Sequence, residues 1–176
     1  MRLSNLLLII VFSILSCSTV RVQYDYNTET NFTDYNTFDW LLIQPADNSV
    51  RNTLMDNRIK SAVSNELSAK GYQLKTGSPQ FLITYHTNVK DKIEVSNYGY
   101  NYARRGRYAW IGTETEVRNY QEGTLIVDFI DAGNKELFWR GVANGSLPKE
   151  INPKIITDKV NEAVKEILKN YPPDNK

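Results

Sequence analysis

Residues 98–110 hold the densest potential chemistry in the chain. Tyr98, Tyr100, Tyr102, Arg104, Arg105, Arg107, Tyr108 and Trp110 interleave flat rings with three guanidinium groups. Rings stack on sugars or bases, and guanidinium groups pair bidentately with phosphate or carboxylate. The segment is therefore a candidate grip for a phosphorylated glycan, a lipid headgroup or an acidic partner. The same composition suits the tip of a long, twisted hairpin, where tyrosine serves strand propensity; such tips are also where binding residues collect. Elsewhere the chemistry is sparse. His86, the single histidine, has no cysteine nearby and none of the further ligands that a zinc or iron site needs, so it reads as a sheet-face histidine and no metal is expected. No serine sits in a G-x-S-x-G turn. Glu114, Glu116 and Glu122 precede a strand that contains Asp128. Two acids facing each other across a cleft are what a glycosidase requires, but acids two residues apart along an extended edge fit solvation equally well. No catalytic residue and no cofactor is assigned.

The only cysteine, Cys17, is the second notable group. It closes a run that begins Met1-Arg2, continues through apolar residues 6–15, and ends Leu15-Ser16-Cys17. A basic start, an apolar stretch of about ten residues and a small residue before a cut site match an export signal, whereas a spanning helix needs about 20 residues. The end of the run resembles a bacterial lipobox. That resemblance implies cleavage after Ser16, a diacylglycerol thioether on Cys17 and acylation of the new amino terminus. Ser18, rather than Asp, implies sorting to the outer membrane, facing the periplasm. The alternative is an ordinary secretory signal that happens to end in cysteine. Two or more acyl chains anchor stably where one does not.

With residues 1–16 removed from the 176, one domain able to bury a proper core remains. Lys and Arg number 21 and Asp and Glu 20; Arg2 departs with the leader, so the mature chain is balanced. Balance argues against nucleic acid as a partner of the whole domain. Once Cys17 is acylated no thiol remains for a disulfide, and stability has to come from packing.

The elements that position these groups follow from periodicity. Residues 17–36 read as a lipidated tether passing into a strand, because Val20, Val22, Tyr24 and Tyr26 alternate with polar neighbours. Residues 37–43 form a second strand that stops before Pro45. Residues 53–70 are helical: Met55, Ile59, Ala62, Val63 and Leu67 share a face, Thr53 and Asp56 suggest a capping box, and Gly71 suits a left-handed C-cap. Residues 81–89, 124–130 and 136–143 read as strands, the last two joined across Asp131-Ala132-Gly133-Asn134. A final helix begins with Asn152 as cap and Pro153 in its first turn, and Tyr171-Pro172-Pro173 ends it. The order ββαβββα predicts an α+β fold: a mainly antiparallel sheet of about five strands with two helices on one face. The domain spans residues 37–171, with a tail over 172–176.

Several word-like pieces recur in a set order: Tyr35-Asn36-Thr37-Phe38-Asp39-Trp40, Lys70-Gly71-Tyr72, Phe81-Leu82-Ile83-Thr84-Tyr85-His86, Glu122-Gly123-Thr124-Leu125 and Leu137-Phe138-Trp139-Arg140-Gly141. Together they resemble the bacterial lipoprotein family called domain of unknown function 4136, over about residues 20–171. The resemblance implies a cell-envelope lipoprotein with an α+β fold and no assigned activity, and it supplies no catalytic residues. Physically the pieces read as core and turn, with Arg140 a candidate cross-strand partner of Asp128. The leading expectation is a non-enzymatic accessory or binding protein at the outer membrane, lipid-anchored, with an envelope protein or glycan as partner. The alternatives are a glycan- or polyanion-binding module built on residues 98–110, and a hydrolase. An apolar groove between helices and sheet favours lipid or partner handling.

Overall fold

Alternating apolar residues along extended segments call for a sheet with one buried face, and the described residues build a six-stranded sheet. The computed structural model describes residues 20–41, 53–99, 113–148, 150 and 152–173. Cys17 with its leader, Leu42, Ile43, and the candidate ligand-binding residues Tyr100, Tyr102, Arg104, Arg105, Arg107, Tyr108 and Trp110 lie outside the described residues. Among the described residues the strands are β1 (Arg21–Tyr26), β2 (Thr37–Trp40), β3 (Gln73–Leu74), β4 (Phe81–Gly99), β5 (Thr113–Asp131) and β6 (Leu137–Ser146). The helices are α1 (Thr53–Ala69) and α2 (Pro153–Leu168).

The α+β class is as expected, with two differences. The described residues form six strands rather than five, ordered β1-β6-β5-β4-β2-β3, and the sheet is mixed. β1, β6, β5 and β4 pair antiparallel, while β2 runs parallel to both β4 and β3. The added strand, β3, is two exposed residues held by backbone pairing to Thr37 and Phe38.

Register explains where the core sits. Trp40 lies opposite Ile83, Ile83 opposite Phe129, Phe129 opposite Trp139, and Trp139 opposite Tyr26, so one rung of large residues crosses the sheet. Both helices pack on that face: α1 brings Ile59, Val63 and Leu67 and α2 brings Val164, Ile167 and Leu168, all fully buried. Each such side chain contributes about 1.5–3 kcal/mol when removed from water. Aromatic rings fill the end of the domain near the β5–β6 turn: Phe129 and Trp139 stack at 4.8 Å, and Tyr171 meets Phe129 edge-on at 4.6 Å. Gly141 permits this density, because a Cβ there would come within 2.5 Å of both Ile167 and Trp139.

The helix ends follow their signals closely. Asn152 caps α2 by accepting from the Ile155 N–H at 2.9 Å, with Pro153 in the first turn. Gly71 takes φ +92° after α1, and the Tyr72 N–H reaches back to the Leu67 carbonyl, the left-handed closure that glycine allows. At the other end of α1 the residues ahead of Thr53 lie outside the described residues. The Asp56 carboxylate accepts from the Tyr85 hydroxyl at 2.6 Å and from Lys60 at 3.0 Å, tying α1 to β4.

Candidate functional site

On the inner face β5 and β6 pass from large aromatic residues at one end of the sheet to glycine at the other. The rung of Ile83, Phe129 and Trp139 is followed by Tyr85, Val127 and Gly141, then by Thr87, Leu125 and Ala143, and last by Val89, Gly123 and Gly145. Where the floor has lost its side chains, the helices still stand above it. The result is an apolar groove of about 330 Å³. Its floor is Gly123, Leu125, Ala143 and Gly145, and its walls are Met55 and Ile59 from α1 and Ile156, Val160 and Ala163 from α2. Val20, Leu147 and Pro148 complete the lining. Polar groups that line it, among them Thr87, Gln121, Ser146 and Lys159, are few beside the apolar walls; the Lys159 ammonium is held by Glu162 at 2.8 Å.

Beyond the groove β4 and β5 continue as a paired ribbon. Both strands are 19 residues long, far beyond the expected 81–89 and 124–130. On the groove side the ribbon exposes Val89, Ile93, Val95 and Val117. On the opposite side Glu94 pairs in register with Arg118 and Lys90 with Glu122, so cross-strand charges compensate. Val95 stands directly opposite Val117. The ribbon is thus amphipathic, and its apolar face continues the groove outward.

The residues singled out from sequence fall in three places. Tyr98 lies in β4 with its backbone opposite Glu114, and the rest of the Tyr/Arg segment follows outside the described residues. His86 is exposed on the sheet face away from the helices, opposite Ile126. Glu114, Glu116 and Glu122, expected ahead of a strand, are within β5. The Glu122 carboxylate faces Lys92 at 3.7 Å and Arg21 at 3.9 Å, which suits a solvated ion cluster. Asp128 and Arg140 form the expected cross-strand contact as a bidentate pair at 2.6 and 2.7 Å. Asp128 is 4 % exposed there, and the guanidinium saturates both carboxylate oxygens. Among the described residues no group of three or more His, Cys, Asp or Glu side chains is placed to hold a metal ion, and no helix is long and apolar enough to cross a membrane.

Perturbed ionisation is concentrated at the opposite end of the domain. Asp131 is held below the usual carboxylate range by the Asn134 N–H, the Tyr35 hydroxyl and the Gly133 N–H that it accepts. Tyr35 is pushed up to about 12, by burial first and then by the Asp131 carboxylate. Burial also raises Tyr72 and Tyr171. The Tyr35–Asp131 bond fastens the segment after the 3-10 turn Phe32–Asp34 to the β5–β6 turn, away from the groove.

Sequence reasoning did not find the groove. Its one local signal is a pair of glycines inside strands, Gly123 and Gly145, which lie opposite each other. A glycine in a strand interior marks a place where something other than its own side chain approaches.

A mixed sheet with both helices on one face, open at one end into an apolar groove, defines a two-layer α+β domain. The chain belongs to the family described as Domain of unknown function (DUF4136), whose model matches residues 22–173. Its fold is similar to a PDZ domain protein from Parabacteroides distasonis, with a TM-score of 0.59 at 15% identity over 90% of this chain and 37% of that one. The chain thus spans little more than a third of that protein's length. Weaker likenesses are a PelC dodecamer subunit from Paraburkholderia phytofirmans (TM-score 0.44, 11% identity, 85% of this chain and 94% of that one) and a neuraminyllactose-binding hemagglutinin homologue from Helicobacter pylori (TM-score 0.41, 13% identity, 79% and 86%). Among curated proteins none matches.

Proposed function

We propose that this protein is a non-enzymatic lipoprotein of the bacterial cell envelope, anchored through Cys17 at the periplasmic face of the outer membrane and serving as an accessory or binding protein. The leader over residues 1–16 is cleaved, and acyl chains on Cys17 hold the domain to the bilayer. The observation that carries the reading is the apolar groove with Val20 in its lining, three residues from Cys17 in sequence. A trans chain extends at most about 3.3–3.6 Å per residue, so a lipid on Cys17 keeps the groove beside the membrane. An apolar cleft with polar groups at its edge is the usual form of a site for apolar ligands or partners. Comparing native protein with Cys17→Ala tests the anchor: the native form sediments with membranes, and the variant retains its leader or leaves the membrane fraction. Unchanged sedimentation and processing in the variant rejects it.

A second reading, binding of glycan or polyanion by residues 98–110, is favoured by one observation. Two paired 19-residue strands lead to and from this segment, at the far end of the ribbon from the core. Replacing Arg104, Arg105 and Arg107 together by Ala weakens retention on anionic glycan or anionic lipid if this reading holds; equal retention discards it.

A further inference from the structure

We infer that one of the acyl chains carried by Cys17 lies in the groove between α1, α2 and the glycine end of the sheet. The inference rests on the lipoprotein reading above and names what fills that protein's groove. Three observations converge. First, Val20 lines the groove and Cys17 precedes it by three residues, a span of at most about 11 Å. A chain tethered so closely is present at an effective concentration of mM or more, with no encounter step to wait for.

Second, the lining suits hydrocarbon and little else. Val20, Met55, Leu125, Ala143, Val160 and Ala163 present no hydrogen-bonding side chain, and the strand backbone beneath them is already paired within the sheet. A peptide laid there would bury its amide groups without partners, which is costly, whereas an acyl chain has none to satisfy. Third, the volume of about 330 Å³ is at the small end for a ligand pocket. It has room for part of one chain, with the ribbon's Val89 next along the path.

Anchoring survives the withdrawal. Passing from bilayer to groove exchanges one apolar surrounding for another, so the step gains by covering groove surface that water would otherwise wet. With the amino group of Cys17 acylated as well, two chains on the same residue remain in the membrane, and two are enough for stable attachment. The tether therefore fixes the orientation of the domain as well as its location, with the groove end turned to the bilayer.

The test uses the native lipidated protein from cells fed a sixteen-carbon fatty acid bearing a diazirine in mid-chain. The purified protein is reconstituted in phosphatidylethanolamine/phosphatidylglycerol vesicles, irradiated, digested and mapped by mass spectrometry. The expected product joins the Cys17 peptide to groove residues of the same molecule, at Val160 to Ala163 or at Leu147. Gly145→Leu, whose Cβ meets only Val20 at ordinary contact distance, fills the floor and lowers that product several-fold. Labelled Cys17 with adducts only to vesicle lipid overturns the inference, as do groove adducts carrying a phospholipid or a second copy of the chain. A Cys17 peptide without any acyl mass defeats the lipoprotein reading itself, and this inference with it.

Discussion

Replacing Gly141 by Ala tests the packing that separates the dense end of the domain from the open end. In a strand interior, glycine usually costs about 0.5–1 kcal/mol relative to alanine, so the substitution alone favours folding. Here the new Cβ comes to 2.5 Å from Ile167 Cγ2 and 2.5 Å from Trp139 Cη2, with Trp139 Cζ3 at 3.2 Å. Both neighbours are fully buried, and neither is the free end of a flexible side chain. Helix α2 has to lift or the indole has to turn, an overpacking cost of about 1–3 kcal/mol. The net effect is a loss of about 1–2 kcal/mol, or about 2–8 °C in Tm for a domain of this size. Gly145→Ala is the internal control. It lies two rungs away, its Cβ meets Val20 Cγ2 at 3.5 Å, and it should be neutral or slightly stabilising. Urea unfolding of the two variants beside wild type reads the difference as a shift in midpoint at constant slope. Combining Gly141→Ala with Ile167→Ala should cost less than the sum of the two alone, by about 0.5–3 kcal/mol, because one clash is removed. Equal midpoints for Gly141→Ala and Gly145→Ala, or strict additivity in the double variant, would refute the argument.

Other consequences are simpler. Arg140→Ala leaves the Asp128 carboxylate buried without its bidentate partner and should cost about 1–3 kcal/mol, measured as a loss in urea midpoint near neutral pH. Asp131 is depressed in the folded state, so its contribution is full above its unfolded value of 3.8 and is lost as pH falls through its lower folded value. Wild type should therefore lose stability below about pH 4 relative to Asp131→Asn, closing a gap of about 1 kcal/mol that favours wild type at pH 7. Tyr35 is raised, so the stability it provides is full below pH 10.0 and declines as pH rises from there through about 12. Tyr35→Phe should flatten that alkaline limb in a pH series of unfolding midpoints.

Much of the fold was legible because its signals are local. Both helices carry their caps and periodicity within their own residues, the β5–β6 turn carries Asp131 and Gly133, and Asp128 and Arg140 face each other once that turn sets the register. β3 was not legible: Gln73 and Leu74 are exposed and become a strand only by pairing with β2. The outer halves of β4 and β5 were hidden for a related reason. Asp91, Asn119 and Gln121 interrupt the apolar face and no core lies beneath it, so alternation fades although the ladder continues to Gly99 and Thr113. The groove was least legible of all, because its lining is drawn from β1's approach, both helices, three strands and the segment after β6. Only the paired glycines gave it away, and they do so by what they lack.

Mass analysis of the amino-terminal peptide from native membranes addresses the central claim most directly. The account predicts that the mature chain begins at Cys17, with a diacylglyceryl group on sulfur and with or without a further acyl group on nitrogen. A peptide that still carries residues 1–16, or a free Cys17 thiol, would contradict it.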